Sequence, residues 1–191
     1  MKKALIGCGG HAREVMAQMG LKLTCFVDEK YADENTLHLS DFNPFKYVVM
    51  VAIADPVIRY NIVSKLPKET KYFTFVHPSA LIMENVEIGE GSFIGAYSIL
   101  TTNIKIGKHS ILNRSNHIGH DTEIGDYFSA MPGAIVSGSV KIYDSVYLGT
   151  NSSVKEKVTI PSLTTIGLNS GVVDDILIPG IYGGVPAKRI K

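Results

Sequence analysis

This chain has few residues that could stitch it together covalently or give it a strong field. Of its 191 residues only two are cysteine, Cys8 and Cys25. A single pair gives neither a disulfide framework nor the spacing of a metal site, so reduced thiols are expected. Charge is sparse as well: acidic and basic residues make up 19% of the chain, the formal net charge is +1, and no long basic run occurs. Nucleic acids and anionic membranes are held by concentrated positive charge, and neither is an expected partner. Long hydrophobic runs are also missing. Met1-Lys2-Lys3-Ala4-Leu5-Ile6-Gly7 reaches glycine after a few apolar residues, too soon for a signal peptide or membrane span, and a cytoplasmic location is expected.

What the chain does have is a period. From Ile88 to Val172 every sixth residue is aliphatic: Ile88, Ile94, Leu100, Ile106, Leu112, Ile118, Ile124, Ala130, Val136, Ile142, Leu148, Val154, Ile160, Ile166, Val172. A helix needs recurrence near 3.6 and a flat strand recurrence at 2, so this spacing fits short strands joined by turns. Four residues after each aliphatic stands a second inward candidate, from Ser92 and Ser98 through Asn116 and Thr122 to Thr164 and Ser170. A six-residue edge runs about 20 Å, three edges close a triangular coil of eighteen residues, and about five coils make a prism roughly 25 Å tall. Glycine follows the aliphatic at positions 89, 95, 107, 119, 125, 149 and 167, where backbone must pass closely or turn sharply.

Residues 1–76 read differently. Lys3 to Ile6 is expected as a buried strand, Gly7 to His11 as a turn, and Ala12 to Met19 as a helix stopped by Gly20. Thr24 to Val27 and the apolar run Tyr47 to Ile53 supply further strands, with Phe73 to Val76 as one more. Asp55 caps a helix over Pro56 to Leu66. The alternation implies a small α/β Rossmann-like sheet. Its turn matches the dinucleotide pattern in part, as Gly7-x-Gly9-x-x-Ala12, and Asp28 follows Gly7 by 21 residues, where a ribose-binding acid is expected. The amides of Gly9 to His11 form a ready anion site at a helix start. A tight turn without any ligand would leave the same trace. An NAD-linked oxidoreductase is disfavoured, because the rest of the chain offers no second hydride-transfer domain.

Three segments carry a resemblance: Gly9-Gly10-His11-Ala12-Arg13-Glu14-Val15, Ala52-Ile53-Ala54-Asp55-Pro56-Val57-Ile58-Arg59, and Val76-His77-Pro78-Ser79-Ala80. Together with the hexads they resemble the sugar acetyltransferases among the hexapeptide-repeat acyltransferases, the group that includes sialic acid O-acetyltransferases and the bacillosamine-pathway N-acetyltransferase. The resemblance spans nearly the whole chain. It implies an N-terminal Rossmann-like domain, residues 1–76, that holds the nucleotide of a nucleotide-sugar, followed by a left-handed parallel β-helix, residues 77–191. It implies substrate contacts at Gly9, Gly10, His11, Asp28, Asp55 and Arg59. It also implies a homotrimer with active sites between subunits.

The polar stretch Asn113 to Gly125 concentrates the chemistry. With Ile118 and Thr122 inward, His120 projects outward at a corner, and eighteen residues on, Gly138 leaves the space beside the imidazole free of a side chain, where a ligand could slide. Acyl transfer from a thioester to an amine needs a base that is neutral near pH 7, a role that suits histidine. His120-Asp121 followed by Ile124-Gly125 resembles the family's catalytic segment, which makes His120 the general base and Asp121 the residue that orients or stabilises it, with Asn113 positioning the acceptor. Relatives often carry a second histidine nine residues after the base; Ser129 stands there and could hydrogen-bond near the thioester, but it cannot act as a base. The resemblance places the pantetheine arm of acetyl-CoA, the expected co-substrate, along Gly149-Thr150 and Gly167-Leu168, and the open space at Gly138 is a further expected cofactor contact. Gly184-Val185-Pro186-Ala187-Lys188 resembles the family's ending, so Lys188 and Arg189 could meet its phosphates. No metal is expected: β-helical carbonic anhydrases bind zinc through histidines across a subunit interface, but the spacing of His109, His117 and His120 does not match that family well and the nucleotide-like first domain would be unexplained.

The expected activity is acetylation of an amino group on a nucleotide-linked sugar by direct attack on acetyl-CoA. Acetylation of a sugar hydroxyl, and a non-catalytic β-helical subunit that binds nucleotide-sugars, are the alternatives.

Overall fold

The computed structural model describes residues 1–191. It begins with β1 (Lys2–Ile6), α1 (Gly10–Met19), β2 (Thr24–Val27), β3 (Leu37–His38), β4 (Tyr47–Val51), α2 (Pro56–Val63) and β5 (Lys71–Tyr72). The five strands form one parallel sheet in the order β3-β2-β1-β4-β5. Gly20 ends α1 with a left-handed backbone, φ 65°, as the sequence predicts. The Asp55 side chain accepts from the amide of Ile58 at 2.9 Å and starts α2. α2 stops at Val63 rather than Leu66, because Lys65 and Leu66 donate three residues back and the final turn tightens.

Phe73 to Val76 does not complete the first sheet. The fifth strand is Lys71–Tyr72, whereas Phe75–Val76 pairs with Phe93–Ile94 in the repeat region. The reason is aromatic: Phe75 stacks on Phe93 with ring centroids 5.7 Å apart, which draws the segment onto the prism.

From there the chain winds three stacked sheets of eight, six and five strands. The eighteen-residue register is explicit on each face: Ile99 lies beside His117 and then Ile135, Lys105 beside Glu123 and then Lys141, Ile111 beside Ser129 and then Tyr147. Parallel strands stacked this way fit a left-handed β-helix. Of the fifteen periodic aliphatics all but Ile88 are buried, and so is every residue four places after one from Ser92 to Ser170. Each buried Val, Leu or Ile contributes about 1.5–3 kcal/mol, which accounts for a rod with no helix of its own.

The corners turn at positions that carry no uniform turn signature. The third residue after each aliphatic, from Gly91 to Asn169, is left-handed, φ 52° to 73°, and twelve of these fourteen positions are not glycine. The glycines directly after the aliphatic instead let the next coil pass: a Cβ on Gly119 would stand 2.6 Å from the amide nitrogen of Gly138.

The two regions share a core, since Phe93 and Ile111 of the prism pack with Leu5, Val15 and Met50. No helix is long and apolar enough to cross a membrane.

Candidate active site

His120 stands on the corner between His117–Ile118 and Glu123–Ile124. Ile118 and Thr122 are buried, so the hexad forces the imidazole outward, where 62% of its side chain is exposed. Asp121 occupies the left-handed corner, φ 57°, a conformation that Asp tolerates better than most residues. That backbone turns its carboxylate back to His120, with Oδ2 2.7 Å from Nδ1. The other oxygen, Oδ1, accepts from Asn103 Nδ2 at 3.0 Å. These two hydrogen bonds, first from His120 and then from Asn103, hold the Asp121 carboxyl below its usual pKa. A charged carboxylate on Nδ1 keeps the proton there and leaves Nε2 as the basic nitrogen.

The space above the ring is used otherwise than the sequence suggests. A Cβ on Gly138 would lie 2.6 Å from Nε2 and 2.7 Å from Cε1 of His120. The missing side chain houses the imidazole itself, so Gly138 is a seat for the ring and leaves no ligand channel. His117 is exposed on the six-stranded face, between Ile99 and Ile135.

Two expected ligand residues are sealed inside. Arg59 is fully buried and donates to the carbonyls of Ile53, Ala54, His109, Tyr127 and Phe128 and to Ser129 Oγ. Burial lowers its pKa to about 9, still high enough to keep it charged at neutral pH. Ser129 is equally buried, and its hydroxyl donates to Ala54 O at 2.7 Å. Neither can meet a substrate: both join the loop after β4 to the prism, and their donors are already used.

The other substrate candidates divide between open and engaged. Gly9 precedes α1 without any side-chain cap, and a Cβ there would meet nothing within 4 Å, so the first amides of the helix are open. Gly10 is similarly free, with only Arg13 nearby. Asp28 is exposed at the end of β2. Asp55 is exposed, with one carboxylate oxygen taken up by capping α2. His11 points inward: its two nitrogens are buried without hydrogen bonds, with Glu14 Oε2 3.8 Å from Nδ1, its ring meets Phe93 edge-on at 5.5 Å, and burial lowers its pKa to about 4. Asn113, nearly buried, donates to Glu14 at 3.3 Å beside an Arg114–Glu14 ion pair of 2.9 Å that crosses from α1 to the prism. No motif or spacing announces that link.

On the eight-stranded face, Gly149 and Gly167 lie one coil apart, and a Cβ on Gly149 would stand 2.6 Å from the amide of Leu168. Thr150 and Leu168 are exposed beside them, and Lys188–Arg189 forms an exposed strand antiparallel to Ile181–Gly183. A recess of about 430 Å³ on the five-stranded face is lined by Glu87, Lys105, Lys108, Asp126 and Asp144 among others and does not include His120. One chain alone therefore presents its base on an open corner. No three His, Cys, Asp or Glu side chains gather as a metal site requires, and His109 lies apart, stacked on Tyr127 at 5.2 Å.

No family model matches the chain. A protein of Escherichia coli O157:H7 named GDP-perosamine N-acetyltransferase is 28% identical over 170 residues, 80% of this chain and 77% of that protein. The fold recurs in PerB from Caulobacter crescentus, solved in complex with CoA and GDP-perosamine, at TM-score 0.88 and 25% identity over 98% of this chain and 96% of that one. The chain is similar to hexapeptide-repeat acyltransferases. WeeI from Acinetobacter baumannii AYE aligns over 98% of this chain and 99% of its own, at TM-score 0.87 and 28% identity.

Proposed function

We propose that the chain transfers the acetyl group of acetyl-CoA to an amino group on a nucleotide-linked amino sugar. The observation that carries this reading is the His120–Asp121 pair, with Nδ1 engaged at 2.7 Å and Nε2 free on an exposed corner. His120 Nε2 takes the proton from the amine as its nitrogen attacks the thioester carbonyl; a C–N bond forms, the C–S bond breaks, and the proton passes to the departing thiolate. Asp121 holds the ring and balances the imidazolium. A positioned base of this kind contributes about 10²- to 10⁴-fold.

Residues 1–76 serve in this reading as a Rossmann-like nucleotide-binding domain and residues 77–191 as the acetyltransferase domain. In the order β3-β2-β1-β4-β5 the chain reverses direction across the sheet between β1 and β4, and the crevice beyond such a switch point is where open α/β sheets take their ligands. The open turn at Gly9 and Gly10 lies there, with Asp28 and Asp55 at neighbouring strand ends. Because relatives are named for GDP-perosamine, a GDP-linked amino sugar is the first substrate to test. The exposed Thr150, Leu168, Lys188 and Arg189 line the path assigned to acetyl-CoA.

The chain assembles with copies of itself in this account, as a trimer in the cytoplasm. The six-stranded face presents Leu81, Ile99 and Ile135, the first and last 51% and 44% exposed, and a second copy covering it would also wall in the His120 corner.

The test is release of CoA thiol from acetyl-CoA with GDP-, UDP- and dTDP-linked amino sugars, the product being identified by mass. Turnover on an amino sugar is expected. Turnover only on a hydroxyl acceptor would make the chain an O-acetyltransferase, and binding without turnover would make it a non-catalytic subunit.

A further inference from the structure

Along the corner that carries the base, three residues one coil apart are joined side chain to side chain. Asn85 Nδ2 donates to Asn103 Oδ1 at 3.1 Å, and Asn103 Nδ2 donates to Asp121 Oδ1 at 3.0 Å. All three have left-handed backbones, φ 58°, 56° and 57°, so their side chains leave the rod in the same direction. The direction of the ladder is fixed by its end. A carboxylate can only accept, so Asn103 must present its amide NH₂ to Asp121, which leaves its oxygen for the NH₂ of Asn85.

Stacked asparagines also stabilise parallel coils, and that alone would explain a ladder. Two observations point further. Only here do three successive coils join side chain to side chain by hydrogen bonds: the column through Ser79, Tyr97, Ser115 and Gly133 has a Tyr97 amide bonded to Ser79 Oγ, and at the third corner Asp126 and Asp144 accept from the backbone amides of Lys108 and Asp126, with a single Lys108–Glu90 side-chain pair. And the ladder does not continue upward to Ser139; it ends on the carboxylate whose second oxygen holds His120.

We propose that Asn103 is a positioning residue for acyl transfer, with Asn85 behind it: Asn103 fixes the Asp121 carboxylate so that its other oxygen holds the proton on Nδ1 of His120 and leaves Nε2, over Gly138, as the accepting nitrogen. The carboxylate has two oxygens and a rotatable bond on an exposed corner. Without the amide of Asn103 it turns freely, and the imidazole loses both its orientation and its preferred tautomer. The proposal rests on His120 being the base.

The test replaces Asn103 with glycine, which keeps the left-handed corner without strain and removes only the amide. kcat is expected to fall about tenfold, with KM for both substrates changed less than about twofold, and Asn85→Gly to give a smaller fall of the same kind. Ring ¹⁵N shifts of His120 are expected to show the Nδ1-protonated tautomer in the parent protein and a mixture in Asn103→Gly. In an Asp121→Asn background Asn103→Gly is expected to add nothing. Unchanged kcat and an unchanged tautomer in Asn103→Gly, while His120→Ala is inactive, would overturn this inference alone. An active His120→Ala would instead overturn the base it rests on. A melting temperature lowered with kcat and tautomer intact would reduce the ladder to coil stacking.

Discussion

Gly138 lies where a side chain would strike His120: a Cβ there would stand 2.6 Å from Nε2, the atom assigned to take the proton. Gly138→Ala should therefore push the exposed ring off its seat without disturbing the rod. A fall in kcat of at least about tenfold with a melting temperature nearly unchanged is expected from steady-state kinetics and calorimetry. Full activity would show that the ring position seen here is not the working one.

Arg59 should matter for stability rather than binding. Its buried guanidinium satisfies five carbonyls and Ser129 Oγ across the junction between the sheet and the prism. Arg59→Met leaves those acceptors unpaired, and urea unfolding should show a loss of about 3–4 kcal/mol, against about 1 kcal/mol for Ser129→Ala. A loss below about 1 kcal/mol for Arg59→Met would mean that water or neighbouring amides replace it.

Two histidines make the fold acid-sensitive. Burial lowers both His11 and His109 to about 4, below the ordinary value near 6.5 that they regain on unfolding. The unfolded chain then binds protons first, so their contribution is fully present above about pH 6.5 and is lost as pH falls towards 4. His109→Asn, which suits the left-handed corner, should reduce the stability difference between pH 7 and pH 5 by about 1 kcal/mol. An unchanged pH slope would show that His109 is protonated in the folded state at pH 5.

The apolar six-stranded face gives a prediction about assembly. Ile135→Glu places a charge on the strip that runs Leu81, Ile99, His117 and Ile135 and should lower the mass in solution from a multiple of the chain to a single chain. Activity should fall with it, because the His120 corner then has no opposing wall. A wild-type mass would assign the interface to another face.

Much of this was legible in the sequence, because a rigid period fixes which residues face inward. Ile118 and Thr122 place His120 outside before any coordinates are known, and the eighteen-residue count puts Gly138 beside it. The same count, run backwards from Asp121, reaches Asn103 and Asn85; that signal was present and passed over, because asparagine on a turn usually means only a turn. Arg59 was misplaced for a different reason. A cation in a loop resembling a nucleotide-binding segment looks like a ligand for phosphate, and nothing local reveals that three of its carbonyl partners lie some fifty to seventy residues away. Phe75 illustrates the same limit: its strand pairing was decided by a distant ring on Phe93.

The most direct test of the account is the single-turnover rate of acetyl transfer by His120→Ala, measured at saturating acetyl-CoA and amino sugar after calorimetry has established that both still bind. A fall of about 10²- to 10⁴-fold with binding intact is the predicted result. A rate equal to that of the parent protein would contradict the assignment of His120 Nε2 as the proton acceptor.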